Sequence, residues 1–96
     1  MIILSVKHKG LRRLIEQGDA SGVPAEYVRK IRNMIAYLQD AEDMTDLTNP
    51  PKWKCHELGG DRKGTWALAV TGNWRITFSP DSDGKSIRNL FYEDYH

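Results

Sequence analysis

Apolar residues in the first half of the chain recur at helical spacing. They repeat every three to four positions across residues 11–15, and Gly18 follows, a residue type that commonly ends helices. A longer apolar stripe covers residues 27–38 and begins just after Pro24, which suits a first helical turn. The pattern predicts two helices here, preceded by a short strand at residues 2–6.

The second half of the chain changes to a period of two. Residues 49–51, Asn-Pro-Pro, stop any helix, and alternation of apolar and polar residues begins after them. It covers residues 53–56, 65–70, 73–78 and 87–92, each long enough for a strand. Two N-terminal helices packed on an antiparallel sheet make an α+β fold, which is the predicted class.

The same alternation predicts which large side chains are buried. Trp66 and Trp74 lie on the apolar face of their strands and are expected in the core rather than in a binding site. Trp53 and Cys55 share one face of the preceding segment, so the thiol of Cys55 is expected to be buried and inert.

The opposite, polar face brings candidate chemistry together. His56 and Arg75 lie on strands that flank the one carrying Ala67 and Ala69. Two alanines between an imidazole and a guanidinium leave a shallow floor, which suits a phosphate-bearing substrate with a cation on one side and a proton carrier on the other. The alternative is an ordinary solvated sheet face.

The last residues of the chain carry three more groups that can move protons or bind phosphate. Asp94, Tyr95 and His96 continue the last predicted strand, which places Asp94 and His96 on one face and Tyr95 on the other. The alternative is a frayed polar tail.

Length, composition and charge narrow the class of protein. The chain has 96 residues and a single cysteine, which predicts one domain over residues 1–96 and a reducing compartment. The apolar start at residues 2–4 is interrupted by Lys7, too early for a signal peptide, and no stretch approaches the ~20 apolar residues of a membrane span. A cytoplasmic protein without membrane segments is expected.

Basic residues gather in two groups, separated from an acidic stretch at residues 40–46. Such groups are either solvated helix faces or a surface that binds a polyanion. The residues are Lys7, Lys9, Arg12, Arg13, Arg29, Lys30 and Arg32.

The spacing of the histidines, the cysteine and the glycines does not indicate a metal or cofactor site. His8, His56 and His96 are far apart, and the adjacent Cys55 and His56 match no zinc spacing. The glycines at residues 59–60 lack the pattern of a phosphate-binding loop. The sequence predicts no metal and no cofactor.

Five ordered segments closely resemble the HigB toxins, also called plasmid maintenance killer proteins, of the RelE superfamily. They read KHKGL at residues 7–11, SGVPA at 21–25, HELGGDRKGTW at 56–66, GNWRITF at 72–78 and EDYH at 93–96. The segments cover the chain from end to end in the same order, which makes the resemblance far more specific than a single motif.

The resemblance implies a microbial-ribonuclease-like (RelE-like) α+β fold and a ribosome-dependent mRNA endoribonuclease that arrests translation. In this family the ribose 2′-hydroxyl attacks the adjacent phosphate without a metal. The implied partners are the 70S ribosome with its mRNA and a helix-turn-helix (HigA-type) antitoxin, in a hetero-oligomer with the toxin. The implied catalytic residues are His56, Arg75, Asp94, Tyr95 and His96.

The interpretation of the basic residues follows from the same resemblance. They become sequence-independent contacts to RNA phosphates, together with Arg62 and Lys63. Which of His56, His96 and Asp94 is the general base and which the general acid stays open.

The chain departs from the family pattern at two positions. Gly59 stands where the family usually has an active-site lysine, and Thr65 stands where it usually has tyrosine. A single charge-stabilising group typically stabilises the transition state by about 2.7 to 4 kcal/mol at such sites, so the absence of the lysine is expected to lower the rate of cleavage. Arg62 and Lys63 are candidates to replace the missing cation.

Two other functions compete with the toxin enzyme. A catalytically weak toxin-like protein would act only by binding the ribosome or its antitoxin, and Gly59 favours that hypothesis. A nucleic-acid-binding or protein-interaction domain unrelated to toxins would require the five segments to match by coincidence.

Overall fold

The computed structural model describes residues 1–94, and its elements follow the predicted order of helices first and strands after. The helices are α1 at Lys9–Gln17, α2 at Val28–Asp40 and α3 at Thr45–Thr48. The strands are β1 at Ile2–Ile3, β2 at His56–Glu57, β3 at Trp66–Ala69, β4 at Trp74–Pro80 and β5 at Ser86–Asp94. Single 3₁₀ turns occupy Ala25–Tyr27, Lys52–Lys54 and Gly60–Arg62.

Helix α1 ends at Gly18, as its sequence predicts, and begins after a cap that the sequence did not predict. Nδ1 of His8 accepts a hydrogen bond from the backbone N–H of Leu11 at 3.1 Å, so the imidazole caps the helix in its neutral form. Burial lowers the pKa of His8, which favours the same form. At the other end Gly18 adopts a left-handed φ of 68° and closes the last turn.

Helix α2 confirms the longer apolar stripe, because its buried residues are Ile31, Met34, Ile35 and Leu38. It starts at Val28, since the preceding residues form the 3₁₀ turn. No helix within residues 1–94 has the length and apolar character to cross a bilayer.

Helix α3 was not predicted, and it lies at the end of the acidic stretch. The acidic side chains there bind backbone N–H groups: Asp46 accepts from Glu42 at 2.8 Å, and Asp43 accepts from Thr45 at 2.9 Å. Part of the acidic stretch therefore stabilises local turns by satisfying backbone donors.

The five strands form one sheet in the order β1-β5-β4-β3-β2. The pairs from β2 to β5 are antiparallel, as predicted, but β1 pairs with β5 in parallel. The sheet is therefore mixed rather than wholly antiparallel. β1 lies at one edge and β2 at the other, and the helices connect them along the chain.

Helices α1 and α2 pack on one face of the sheet and form a single core with it. Phe78, Ile76, Leu68 and Leu90 on this face are fully buried against Leu11 and the stripe of α2. The other face carries Ala67, Ala69, Arg75, Thr77 and Glu93, and we call it the site face.

The expectation that both tryptophans lie in the core is correct for one of them. Trp66 is half-buried and packs against the core, whereas Trp74 is 38% exposed. Trp74 is the first residue of β4, where the helix layer no longer covers the sheet. Its ring stacks on Tyr92 with centroids 4.8 Å apart. The prediction that Trp74 is a core residue was wrong.

Helix α1 is held close to the loop before α2 by two glycines. A Cβ at Gly10 would lie 2.1 Å from the carbonyl oxygen of Gly22, and a Cβ at Gly22 would lie 2.5 Å from Cα of Gly10. Neither position has room for a side chain, so the two glycines set the distance between these backbones.

Candidate functional site

The site face contains a shallow depression of about 190 Å³, which we call the first depression. Ala67 pairs with His56 across β2 and β3, and Ala69 pairs with Arg75 across β3 and β4. The register therefore confirms the predicted floor of two alanines between an imidazole and a guanidinium. The lining residues are Lys54, His56, Ala67, Ala69, Thr71, Gly72, Asn73, Trp74 and Arg75.

His56 is oriented by a turn that the sequence did not predict. The segment expected to be a strand is a 3₁₀ turn in which Trp53 and Lys54 have left-handed φ values of 45° and 54°. This turn brings the carbonyl oxygen of Lys54 to 2.8 Å from Nδ1 of His56. A carbonyl can only accept, so Nδ1 carries the hydrogen and Nε2 of the neutral ring keeps a lone pair for a substrate proton.

Cys55, between these residues, is buried as expected. Burial raises the pKa of its thiol to about 11, so the sulfur stays protonated and is a poor nucleophile. Among residues 1–94 there is no group of three or more His, Cys, Asp or Glu side chains placed to hold a metal ion.

Arg75 belongs to a cluster of charged side chains on the site face. Its Nη2 lies 3.6 Å from Oε1 of Glu93, its cross-strand neighbour. Glu93 also binds the guanidinium of Arg62 through both carboxylate oxygens, with Oε2 at 3.0 Å from Nη2. The hydroxyl of Thr77 donates to the same Oε2 at 3.1 Å.

This cluster perturbs the protonation of its members in opposite directions. The hydrogen bonds from Arg62 lower the pKa of Glu93, with a further contribution from Thr77 and Arg75. The same pairing raises the pKa of Arg62. Glu93 is therefore ionised at neutral pH and offsets part of the positive charge of two arginines.

A Glu93→Gln variant is expected to lose about 2 kcal/mol of unfolding free energy at pH 7, since it removes charge-assisted hydrogen bonds to a half-buried carboxylate. The folded-state pKa of Glu93 is lowered from its ordinary 4.5, so its stabilising contribution is complete above that pH and disappears as pH falls through the lowered value. The difference from the wild type should shrink toward zero in acid.

Urea unfolding at several pH values measures this difference. Glu16→Gln, at an exposed position on α1, is the matched control and should differ little from the wild type at any pH. A Glu93→Gln penalty that stays constant down to pH 3 would contradict the assigned role of the carboxylate charge.

The sequence did not single out Glu93, although it directly precedes the predicted chain-end group. Its cross-strand partner is Arg75, whereas Asp94 pairs with Trp74 and so lies on the other face of β5. The alternation within β5 therefore separates Asp94 from Arg75 and brings Glu93 to it instead. Tyr95 and His96 lie outside the described residues, and their catalytic roles stay predictions.

Some of the basic residues predicted to bind RNA also form hydrogen bonds within the protein. Three of them donate to backbone carbonyls: Arg12 to Val6 at 2.9 Å, Lys30 to Val70 at 2.6 Å and Arg32 to Gly18 at 3.3 Å. Arg29 and Arg32 lie on the exposed side of α2, in the helix layer.

The remaining basic residues divide between two regions. Lys7 and Arg62 line the site face, and Lys63 is exposed just after the 3₁₀ turn that carries Arg62. Lys9 and Arg13 are exposed on α1.

Gly59, where a lysine was expected, lies in open space. A Cβ built there meets nothing within 4 Å, and the φ of −95° is accessible to any residue. Arg62, a proposed replacement, is engaged by Glu93, so it contributes less net charge to the site than an unpaired cation would.

Comparison with known proteins identifies the family. Residues 4–96 match the family described as the RelE-like toxin of type II toxin-antitoxin system HigB. The chain is 44% identical to endoribonuclease HigB of Proteus vulgaris over 95 residues, which cover 99% of this chain and all of that protein.

Solved structures with the same fold are more distant in sequence. A YoeB/ParE toxin from Agrobacterium tumefaciens matches with a TM-score of 0.60 at 17% identity, over 97% of this chain and 99% of that chain. The YoeB–YefM complex from Staphylococcus aureus gives 0.57 at 12% identity, over 100% and 97% of the chains. The RelBE2 toxin–antitoxin complex from Mycobacterium tuberculosis gives 0.54 at 15%, over 99% and 96%.

The fold comparison confirms the predicted RelE-like α+β class, and the sequence match confirms the resemblance seen in the five segments. On a match that covers all but the first three residues, this chain belongs to the HigB-like family of RelE-like toxins from type II toxin-antitoxin systems.

Proposed function

We propose that this toxin is a metal-independent endoribonuclease that cuts mRNA on the ribosome and thereby arrests translation in the cytoplasm. The observation that carries the proposal is the placement of His56 and Arg75 on either side of a floor formed by Ala67 and Ala69. Its 44% identity to endoribonuclease HigB of Proteus vulgaris supports the same reaction.

The site supports a transesterification within the RNA, in which the phosphate moves from the 5′-oxygen to the 2′-oxygen. Nε2 of His56 takes the proton of a ribose 2′-hydroxyl, whose oxygen attacks the adjacent phosphorus. The bond from phosphorus to the 5′-oxygen breaks, and that oxygen receives a proton, which leaves a 2′,3′-cyclic phosphate and a free 5′-hydroxyl. Arg75 stabilises the charge on the pentacoordinate phosphorus with two parallel hydrogen bonds.

The chain end supplies the remaining groups in this proposal. His96 protonates the leaving 5′-oxygen, and Tyr95 stacks on a base. The exposed basic residues hold ribosomal RNA by its phosphates without reading sequence, and Lys9, Arg13, Arg29 and Lys63 are all exposed.

An antitoxin partner follows from the family, whose members are the toxins of type II toxin-antitoxin systems. Two solved structures of the same fold are toxin–antitoxin complexes, RelBE2 and YoeB–YefM. We propose a helix-turn-helix antitoxin of the HigA type, bound to the toxin in a hetero-oligomer.

The purified toxin is expected to cut mRNA on programmed ribosomes at least about a hundredfold faster than the same RNA free in solution. The first depression is shallow, so the ribosome must hold the substrate in the geometry for attack, and such positioning is worth several orders of magnitude. Primer extension on both substrates measures the ratio. Equal cutting of free RNA would indicate a general ribonuclease, and ribosome binding without cutting would indicate the toxin-like protein that acts by binding alone.

A Gly59→Lys variant is expected to cut ribosome-bound mRNA about tenfold faster than the wild type, because it restores the cation that the family usually has at this position, where a side chain has open space. The gain should be smaller than for a fixed donor, since a lysine side chain is flexible. Gly59→Gln is the matched control, with similar length and no charge. A rate equal to that of the wild type would show that this position lies too far from the phosphate.

A further inference from the structure

A second depression of about 300 Å³ lies on the site face beside the first one. The cluster of Arg62, Glu93 and Arg75 separates the two, because Arg62 and Glu93 line the second depression whereas Arg75 lines the first. A phosphate bound at Arg75 would therefore have a depression on each side. The lining residues of the second are Lys7, Arg62, Thr65, Thr77, Ser79, Asn89, Phe91 and Glu93.

An irregularity in β5 shapes this depression. Thr77 pairs with Phe91, but Ser79 pairs with Arg88, so β5 contains one more residue than β4 over this stretch. Asn89 takes the left-handed φ of 60° at the bulge, a conformation that asparagine tolerates better than most residues. Arg88 and Asn89 are consequently both exposed, and Asn89 faces the depression instead of the core.

The lining of the second depression matches a nucleobase better than a simple anion. Phe91 is half-buried and held edge-to-face by His8, with ring centroids 5.4 Å apart, so its ring presents a fixed aromatic surface. The amide of Asn89 has both donors and an acceptor, like the edge of a base. Thr65 and Ser79 add hydroxyl groups, and Lys7 adds a cation.

Size and charge agree with this assignment. A volume of about 300 Å³ is at the lower end for ligand pockets and fits one nucleoside. The negative charge of Glu93 is offset by its pairing with Arg62 and Arg75, which reduces its repulsion of a phosphate bound at Lys7. The half-buried Thr65 is small, which leaves the depression open beside β3.

We propose that the second depression is a nucleobase subsite, which binds the base of the nucleotide next to the cleaved phosphate by stacking on Phe91 and hydrogen bonding to Asn89. The placement next to the cut rests on the function proposed above. The subsite would give the toxin a nucleotide preference at one position beside the cut.

Titration of the ¹⁵N-labelled protein with each of the four nucleoside monophosphates tests the subsite without the ribosome. The backbone amides of Thr77, Asn89 and Phe91 should shift, and ribose 5-phosphate, which lacks the base, should bind about tenfold more weakly. Phe91→Leu should weaken nucleotide binding to a similar degree. Thr65→Tyr should fill the depression, and Ser82→Tyr, in an exposed loop outside both depressions, is the control.

Several results would overturn the subsite. These are equal binding of ribose 5-phosphate and nucleotides, shifts confined to residues around His56, or a folded Phe91→Leu variant with wild-type affinity. On programmed ribosomes, Phe91→Leu should cut at the same place with a flattened nucleotide preference beside the cut. Nucleotide binding at Phe91 in a protein that never cuts mRNA would leave the subsite standing and refute the proposed function.

Discussion

An Arg75→Lys variant should cut ribosome-bound mRNA about a hundredfold more slowly than the wild type, in line with the loss of one donor to the transition state. Lysine keeps the positive charge next to Glu93, so the variant should fold and melt close to the wild type. It lacks the planar pair of donors that binds two phosphate oxygens at once. Single-turnover cleavage and a thermal melt of the same sample measure both effects.

Arg88→Lys is the matched control for this prediction. Arg88 lies on the neighbouring strand β5 and is also paired with a carboxylate, that of Asp81 at 3.0 Å, but it is outside both depressions. Its substitution should leave the cleavage rate unchanged. An Arg75→Lys variant as fast as the wild type would move the phosphate clamp to Arg62 and refute the role of Arg75.

The second large effect concerns stability. A Phe78→Ala variant is expected to lose about 3 to 5 kcal/mol of unfolding free energy, because Phe78 is fully buried in the middle of β4 and its removal leaves a cavity. Trp74→Ala, on the same face of the same strand, should lose about half as much or less. Trp74 is 38% exposed, and its ring stacks on Tyr92.

Urea unfolding followed by circular dichroism compares the two variants without relying on tryptophan fluorescence. Trp74 lines the first depression, so Trp74→Ala should also impair cleavage while the protein stays folded. If Trp74→Ala lost as much stability as Phe78→Ala, Trp74 would be a core residue, which contradicts its observed exposure.

The period of the apolar residues was enough to predict most of the fold. A 3.6-residue stripe predicted α2, and strict alternation placed Ala67, Ala69 and Arg75 on one face of the sheet, because every second side chain of a strand points to the same face. The alternation could not show that Trp74 emerges beyond the helix layer. That depends on where the helices end over the sheet, which is a property of tertiary packing.

The candidate site was only partly accessible from the sequence. His56 and Arg75 were found through alternation and the family resemblance, but Glu93 was overlooked because cross-strand register decides which chain-end carboxylate meets Arg75. The engagement of Arg62 by Glu93 joins residues 31 positions apart in the sequence. A pattern read along the chain contains no information on such pairs.

The basic residues show a similar limit. Their charges suggested contacts to RNA phosphates, but the sequence could not show that Arg12, Lys30 and Arg32 each also donate to a backbone carbonyl. A long side chain can reach local acceptors that only the folded backbone creates. Charge along a sequence therefore does not show which cations also make hydrogen bonds within the fold.

The turn at Trp53 and Lys54 limits how this protein can be stabilised by design. Two consecutive non-glycine residues in the left-handed region cost about 1 to 2 kcal/mol each, and a designer would replace one of them with glycine. Trp53, however, packs edge-to-face on Tyr37 at 5.4 Å, and the carbonyl of Lys54 fixes the ring of His56. Relaxing this turn would exchange a gain in melting temperature for a less ordered imidazole, so thermostable versions should be sought elsewhere in the chain.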